Sequence, residues 1–203
     1  MKIALFPLDV VLFPGAALPL HIFEERYRLM VTDCQRRKEP FGVVRAMSEG
    51  LAVIGCTATI VTVLQNYPDG RLDILCEGGE RFEIEMLDNS SAYLQAEVDI
   101  FDDDGQQASR TEREECVALH LEVVELAGGE GSSVPLQLDL DNPISLQLAG
   151  MLPVDLDFKQ LLLGCRSDNE RTERLLAFYN AVLPKLRRGA QTSRAAERNG
   201  HVM

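Results

Sequence analysis

Four lysines, three histidines and five cysteines are among the groups in this 203-residue chain that could act as base, ligand or nucleophile. A serine nucleophile needs a base within hydrogen-bond reach, and a lysine base needs a desolvated setting that lowers its pKa. Lys38 and Lys185 sit in basic runs at the ends of predicted helices, where an ammonium stays hydrated, which leaves Lys159 alone open to that role. A serine-lysine site is therefore not expected. His21 lies beside Pro19 at the start of the first predicted helix, His120 falls on an amphipathic helix, and His201 belongs to the C-terminal segment. With no paired carboxylate at ligand spacing they do not form a zinc site, and His21 reads as a packed or capping side chain. Cys34, Cys56, Cys76, Cys116 and Cys165 are odd in number and widely spaced, which fits neither a disulfide framework nor a CxxC metal motif. They read as reduced core thiols. A cysteine-histidine pair could arise only through tertiary contact, and nothing in the spacing points to one. The acidic run Asp102 to Asp104 lacks the alternating ligands of an EF-hand, so it reads as a hydrated connector, as do Asp139 and Asp141. No Gly-Lys pair exists, so the phosphate-cradling G-x-x-x-x-G-K-[S/T] loop is missing and ATP hydrolysis is not expected. No cofactor or metal is expected.

Composition narrows the partners. The formal charge is −12, which disfavours phosphate backbones, because nucleic-acid affinity comes largely from neutralising phosphates with Lys and Arg. A hydrophobic content of 46% allows a substantial core, while no apolar run approaches the ~18 residues of a spanning helix. Lys2 is followed by a short apolar run that Pro7 and Asp9 interrupt, with no small-residue cleavage site after it, so a signal peptide is not expected and a cytoplasmic location is. Residues 185–203 carry five Lys or Arg against one Glu, a basic end on an acidic chain.

The elements that must position any site follow from periodicity. From Ile3 to about Phe101 the pattern is strand-like: Leu72, Ile74 and Cys76 alternate with polar residues, as do Phe82, Ile84 and Met86, and then Leu94, Ala96, Val98 and Ile100. The run TATIVTVLQ (Thr57 to Gln65) meets the turn signal Tyr67-Pro68-Asp69-Gly70, which predicts a hairpin. Pro7, Pro14 and Pro19 impose an extended, kinked path on FPLDVVLFPG and LPLHIFEERY. One helix interrupts the strands, with Phe23, Tyr27, Met30 and Cys34 on one face, as the plug of a barrel. A boundary is expected at Phe101 to Ser109. Beyond it the period becomes helical: Thr111 and Glu114 suggest a capping box, Val117, Leu121 and Val124 an inward stripe, and Gly128-Gly129 a stop. Gly128 to Leu140 is expected as a loop. Shorter helices follow near Ser145 to Leu152 and from Asp157. A last helix capped by Ser167 and Glu170 presents Leu175, Tyr179, Val182 and Leu186 and stops at Gly189. The expected organisation is a barrel domain over 1–104 with one inserted helix, a helical domain over 105–188, and a disordered basic tail over 189–203.

Together with the opening, Phe41-Gly42-Val43-Val44, Gly55-Cys56-Thr57-Ala58, Asp69-Gly70-Arg71, Gly78 with Arg81-Phe82, and Tyr93 with Ala96-Glu97-Val98 make this chain resemble the substrate-binding N-terminal domain of the Lon protease family. Leu161-Leu162, Glu170-Arg171 and Leu175-Leu176 extend the resemblance into the helical half. It implies an α+β fold, a PUA-like antiparallel pseudo-barrel followed by a C-terminal helical bundle. It also implies a non-catalytic role in holding unfolded or hydrophobic polypeptide segments, or a protein partner, since ATPase and protease chemistry belong to separate modules of that family. Recognition of unfolded chains needs exposed apolar area. Ile22, Glu24, Glu25 and Arg28 around the first helix, and Val134 and Leu136 in the Gly128 to Leu140 loop, are the candidate residues. The alternatives are an RNA-binding protein, since PUA-like barrels serve that purpose elsewhere, and a hydrolase with an unrecognised site.

Overall fold

The Tyr67 to Gly70 turn joins two long strands, because Gly70 takes the positive φ that closes it and Gly70 N donates to Tyr67 O. A computed structural model describes residues 1–127 and 139–199, with 192–199 as backbone only. In chain order the elements are β1 (Lys2–Leu8), β2 (Ala17–Ile22), α1 (Glu25–Arg37), β3 (Phe41–Met47), β4 (Gly50–Asn66), β5 (Leu72–Asp88) and β6 (Gln95–Phe101). These are followed by α2 (Arg110–Leu126), α3 (Ser145–Met151), α4 (Leu156–Gly164) and α5 (Asp168–Asn199).

The six strands run in the order β2-β5-β4-β3-β1-β6, and β6 pairs again with β5, so five of them close into a ring that leaves β2 outside. All pairings are antiparallel except β1 with β3, which are parallel. The long excursion through β2 and α1 supplies the crossover that a parallel pair requires. Tyr27, Met30, Val31 and Cys34 of α1 pack with Phe6, Ile22, Phe41, Ile74 and Cys76 in one core. Phe23, assigned by spacing to that buried face, precedes the helix and is 60% exposed. Gly78 fixes the proline-punctuated opening against the barrel: Gly15 N donates to its carbonyl and its own N–H donates to Ala16 O. A Cβ at Gly78 would lie 2.1 Å from Phe13 O.

The chain divides into two compact units, Met1–Asp104 with Val154–Arg166, and Gly105–Pro153 with Ser167–Met203. The unit containing the barrel therefore also takes α4 out of the continuous 105–188 stretch. Arg81, only 4% exposed on β5, explains this. Its guanidinium donates to Leu163 O at 3.2 Å, to Cys165 O, and to Asp103 Oδ1 at 2.6 Å. Those carbonyls belong to the C-terminal end of α4, where a helix has no partners of its own. Gln160 Nε2 adds a bond to Ile54 O at 2.9 Å. Asp103, expected as a hydrated connector residue, is thus the acid of a largely buried ion pair.

In the second unit the capping box is Ser109 with Glu112, two residues earlier than Thr111 with Glu114. Both pairs satisfy the same local pattern, and the Ala108 N–H held by Asp168 Oδ2 at 3.0 Å anchors the earlier start. The buried face of α2 carries Arg113, Cys116, His120, Val123 and Val124, so of the expected stripe Val124 is buried while Leu121 is exposed. The helix ends at Leu126, and the expected Gly128-Gly129 stop lies outside the described residues. Asp168 is fully buried, and Ser145 Oγ donates to its Oδ1 at 2.6 Å while Arg171 Nε donates to Ser145 Oγ at 2.8 Å. This polar network ties the starts of α2, α3 and α5 together. Ser167 Oγ accepts from Glu170 N at 3.3 Å, as the spacing suggests. Leu175, Tyr179 and Leu183 are the buried hydrophobic positions of α5 among the described residues, with Val182 and Leu186 half-buried. The helix passes through Pro184 and Gly189 to Asn199, so neither the stop nor a tail without structure from 189 holds. An interior glycine costs only about 1 kcal/mol, which does not end a helix.

Candidate functional site

The outer halves of β4 and β5 extend beyond β3, and with β2 they form a tab of three strands. Its inner side chains, including Leu20, Ile22, Ile74, Cys76, Ile60 and Val63, pack toward α1 and the core. Alternation then assigns Pro19 and His21 of β2 and Leu75 and Asp73 of β5 to the outer face. On β4 the register skips twice: Ile60 pairs with Cys76 and Thr62 with Leu75, then Val63 pairs with Ile74 and Gln65 with Asp73. Val61 and Leu64 are the residues left over at these two bulges, and they are 55% and 56% exposed. A bulge sets two residues against one and re-aims a side chain. Here each bulge turns a large aliphatic group to solvent while Ile60 and Val63 stay on the inner side.

The tip of the tab carries an aromatic group. His21 stacks on Phe23 with ring centroids 6.0 Å apart and meets Tyr67 edge-on at 5.8 Å. Asp73 holds them: its Oδ1 bonds His21 Nδ1, and its Oδ2 accepts from the Tyr67 hydroxyl at 2.7 Å. These two bonds keep the Asp73 carboxyl below its usual range. Arg71 lies with its guanidinium 5.0 Å from the Tyr67 ring centroid and pairs with Asp69. His21 is thus a strand residue bound to an acid, neither buried nor a helix cap.

The residues singled out from the sequence separate here. Ile22 is fully buried in the core and offers no surface. It is the inward member of the alternation whose outward members are His21 and Phe23. Glu24, the N-terminal flank of α1, pairs with Arg26, and Glu25 is exposed in the first turn. Arg28 donates to Asp69 O at 3.0 Å, so it braces the tip of the hairpin rather than standing free. Val134 and Leu136 lie outside the described residues. Val61, Leu64, Phe23 and Tyr67 are groups of this face that the sequence does not single out as candidates. The available signal was TATIVTVLQ itself, which holds more consecutive apolar and β-branched residues than a period of two can bury on one face.

The ATP-dependent protease La (LON) substrate-binding domain model matches residues 2–181. The chain belongs to this Lon domain family. A solved Lon N-terminal domain protein from Xanthomonas campestris superposes with a TM-score of 0.68 at 27% identity, covering 87% of this chain and 98% of that one. The N-terminal domain of Mycobacterium avium complex Lon protease gives 0.67 over 89% of this chain and 98% of that one, and at 15% identity it speaks to the fold alone. Among curated relatives, the Lon protease of Parabacteroides distasonis is 31% identical over 121 residues, which is 55% of this chain and 14% of that protein. The Lon protease of Escherichia coli K12 is 24% identical over 92% of this chain and 25% of its own length. The chain thus spans a quarter or less of these two relatives. Membership in the family supports a role in binding substrate.

The groups that could do chemistry are placed against it. The five cysteines are buried and unbridged. Burial pushes the Cys34 thiol up to about 11 and those of Cys56, Cys76 and Cys116 to about 12, so they stay protonated and weakly nucleophilic at neutral pH. Burial lowers the Lys159 ammonium, the one feature a lysine base would share. His120 is buried and hydrogen-bonded to the Tyr179 hydroxyl at 2.9 Å. No cluster of His, Cys, Asp or Glu suited to a metal ion occurs among the described residues. In a groove of about 460 Å³ lined by Asp33, Arg37 and Tyr93 among others, Asp33 is already engaged by the Tyr93 hydroxyl at 3.0 Å and by Arg36 at 2.9 Å.

Proposed function

We propose that this chain holds unfolded polypeptide segments without chemistry of its own, on the outer face of the β2-β5-β4 tab. The observation that carries this is the pair of bulges exposing Val61 and Leu64 beside Leu75, with Phe23 and Tyr67 at the tip. An exposed apolar area rimmed by polar groups is the usual mark of a docking surface. Its sheet edges are poor templates for strand addition. Pro19 removes a donor from β2, and the bulges interrupt the free edge of β4. Contact through side chains on the face tolerates many client sequences, as substrate binding demands, whereas edge pairing fixes one register. A groove of about 310 Å³ between the C-terminal end of α1 and Thr59 to Val63 continues the surface around the β4 edge.

The test is titration of a fluorescently labelled, permanently unfolded protein into the full chain and into Val61→Asp/Leu64→Asp. Saturable binding that weakens at least about tenfold in the variant, with unchanged circular dichroism and melting, is the expected result, since desolvating two carboxylates opposes an apolar contact. Equal binding by both proteins places the clients elsewhere. Absence of saturable binding at tens of micromolar removes the reading.

A further inference from the structure

We propose that the tip of the tab selects client segments in which an arginine or lysine lies next to apolar residues, the cation seating against Phe23 and the acids around it. This rests on the polypeptide-binding reading above and adds what the bound segment must contain.

Three observations converge. First, Phe23 is a large aromatic ring that is 60% exposed, its stacking partner being the His21 ring on one side. An aromatic face attracts a cation through its quadrupole, and arginine most often. Second, the tip already uses this chemistry internally: the Arg71 guanidinium lies 5.0 Å from the Tyr67 ring centroid. Third, around the tip and along the tab the acids outnumber the cations, Asp69, Asp73, Glu24, Glu25 and Glu77 standing against Arg26, Arg28 and Arg71. Asp69 is matched by Arg71 and Glu24 by Arg26. Asp73 has His21, while Glu25 and Glu77 are exposed. Glu77 lies at the base of the tab, opposite Ala17 and Thr59, so negative charge stands at both ends of the apolar strip formed by Val61, Leu64 and Leu75. The chain's net charge of −12 acts in the same direction at longer range, concentrating basic segments and repelling acidic ones. Aliphatic area between acidic ends, finished by an exposed aromatic ring, complements a segment that is apolar with a basic side chain beside it.

The experiment compares three unstructured peptides of one apolar sequence whose single variable position is arginine, citrulline or glutamate. They are titrated into the full chain, into Phe23→Leu and into Val61→Asp/Leu64→Asp. Phe23→Leu keeps apolar bulk and removes the ring, and the side chain is exposed enough for the variant to fold. The expected order is arginine tightest and glutamate weakest. Arginine should exceed citrulline by about three- to tenfold, a gap that shrinks at high salt and closes in Phe23→Leu. Equal affinity for arginine and citrulline overturns the inference while leaving polypeptide binding intact, provided Val61→Asp/Leu64→Asp still weakens both. A preference that persists in Phe23→Leu overturns the assignment to this ring. Failure of every peptide to bind, together with the labelled unfolded protein, overturns both.

Discussion

Replacing Arg81 by methionine tests whether one side chain binds α4 to the barrel-containing unit. The guanidinium serves three acceptors, Leu163 O, Cys165 O and Asp103 Oδ1, and lies 4.7 Å from the Phe101 ring centroid. Methionine fills much of the same volume but leaves two carbonyls at the end of α4 and a mostly buried carboxylate without their donor. A stranded buried acceptor costs about 1–3 kcal/mol, and breaking one side of a buried ion pair about 3–5 kcal/mol. Some of this returns as apolar burial, and the costs overlap because they share one side chain. The expected net loss is about 3–5 kcal/mol, centred on α4 and its contacts with β4 and β5. Hydrogen exchange read by mass spectrometry is the assay, since it resolves the loss by segment as well as in total. Amides of 156–165 and of β4 near Ile54 should lose protection, while those of α2 and α5 change little. Adding Asp103→Asn should recover about 1 kcal/mol or more by removing the buried charge that Arg81 had opposed. A loss under about 1 kcal/mol, or one spread evenly over both units, would refute the assignment of α4 to this clamp.

Two further outcomes follow from the packing. His120 is buried, and desolvation holds its pKa below the ordinary value of 6.5. Because the unfolded chain then binds the proton more readily than the folded one, stability is present above about pH 6.5 and falls as pH drops through that region; melting of wild type and His120→Gln from pH 7.5 to 5 should show a smaller slope for the variant, and parallel slopes would contradict this. Gly78→Ala places a methyl within 2.1 Å of the Phe13 carbonyl oxygen, so it should cost about 2–3 kcal/mol in a urea melt. A cost below about 0.5 kcal/mol would mean that the opening segment is not clamped there.

How far local pattern reached can be judged at particular residues. The β4–β5 hairpin followed from Tyr67-Pro68-Asp69-Gly70 because a turn depends on a few adjacent residues. The start of α2 was ambiguous because Ser109-x-x-Glu112 and Thr111-x-x-Glu114 are the same motif, and the choice was made by a contact with Asp168, far along the chain. Helical spacing puts Phe23 on the buried face and leaves Ile22 outside it, whereas β2 continues to Ile22, so strand alternation buries Ile22 and exposes Phe23. The exposure of Val61 and Leu64 is not legible in the sequence because a bulge depends on the register of two strands, and register is a property of the pair.

Alternation, turn chemistry and the quoted family motifs were thus enough to assign the α+β class, the family and the expectation of substrate binding. These rest on residues close in sequence. Tertiary structure decided which apolar groups remain outside, that α4 is held by Arg81, and that Asp103 is an ion-pair partner rather than a hydrated acid. Burial and pairing are set by what the folded chain brings opposite each side chain, and spacing along the chain does not encode that.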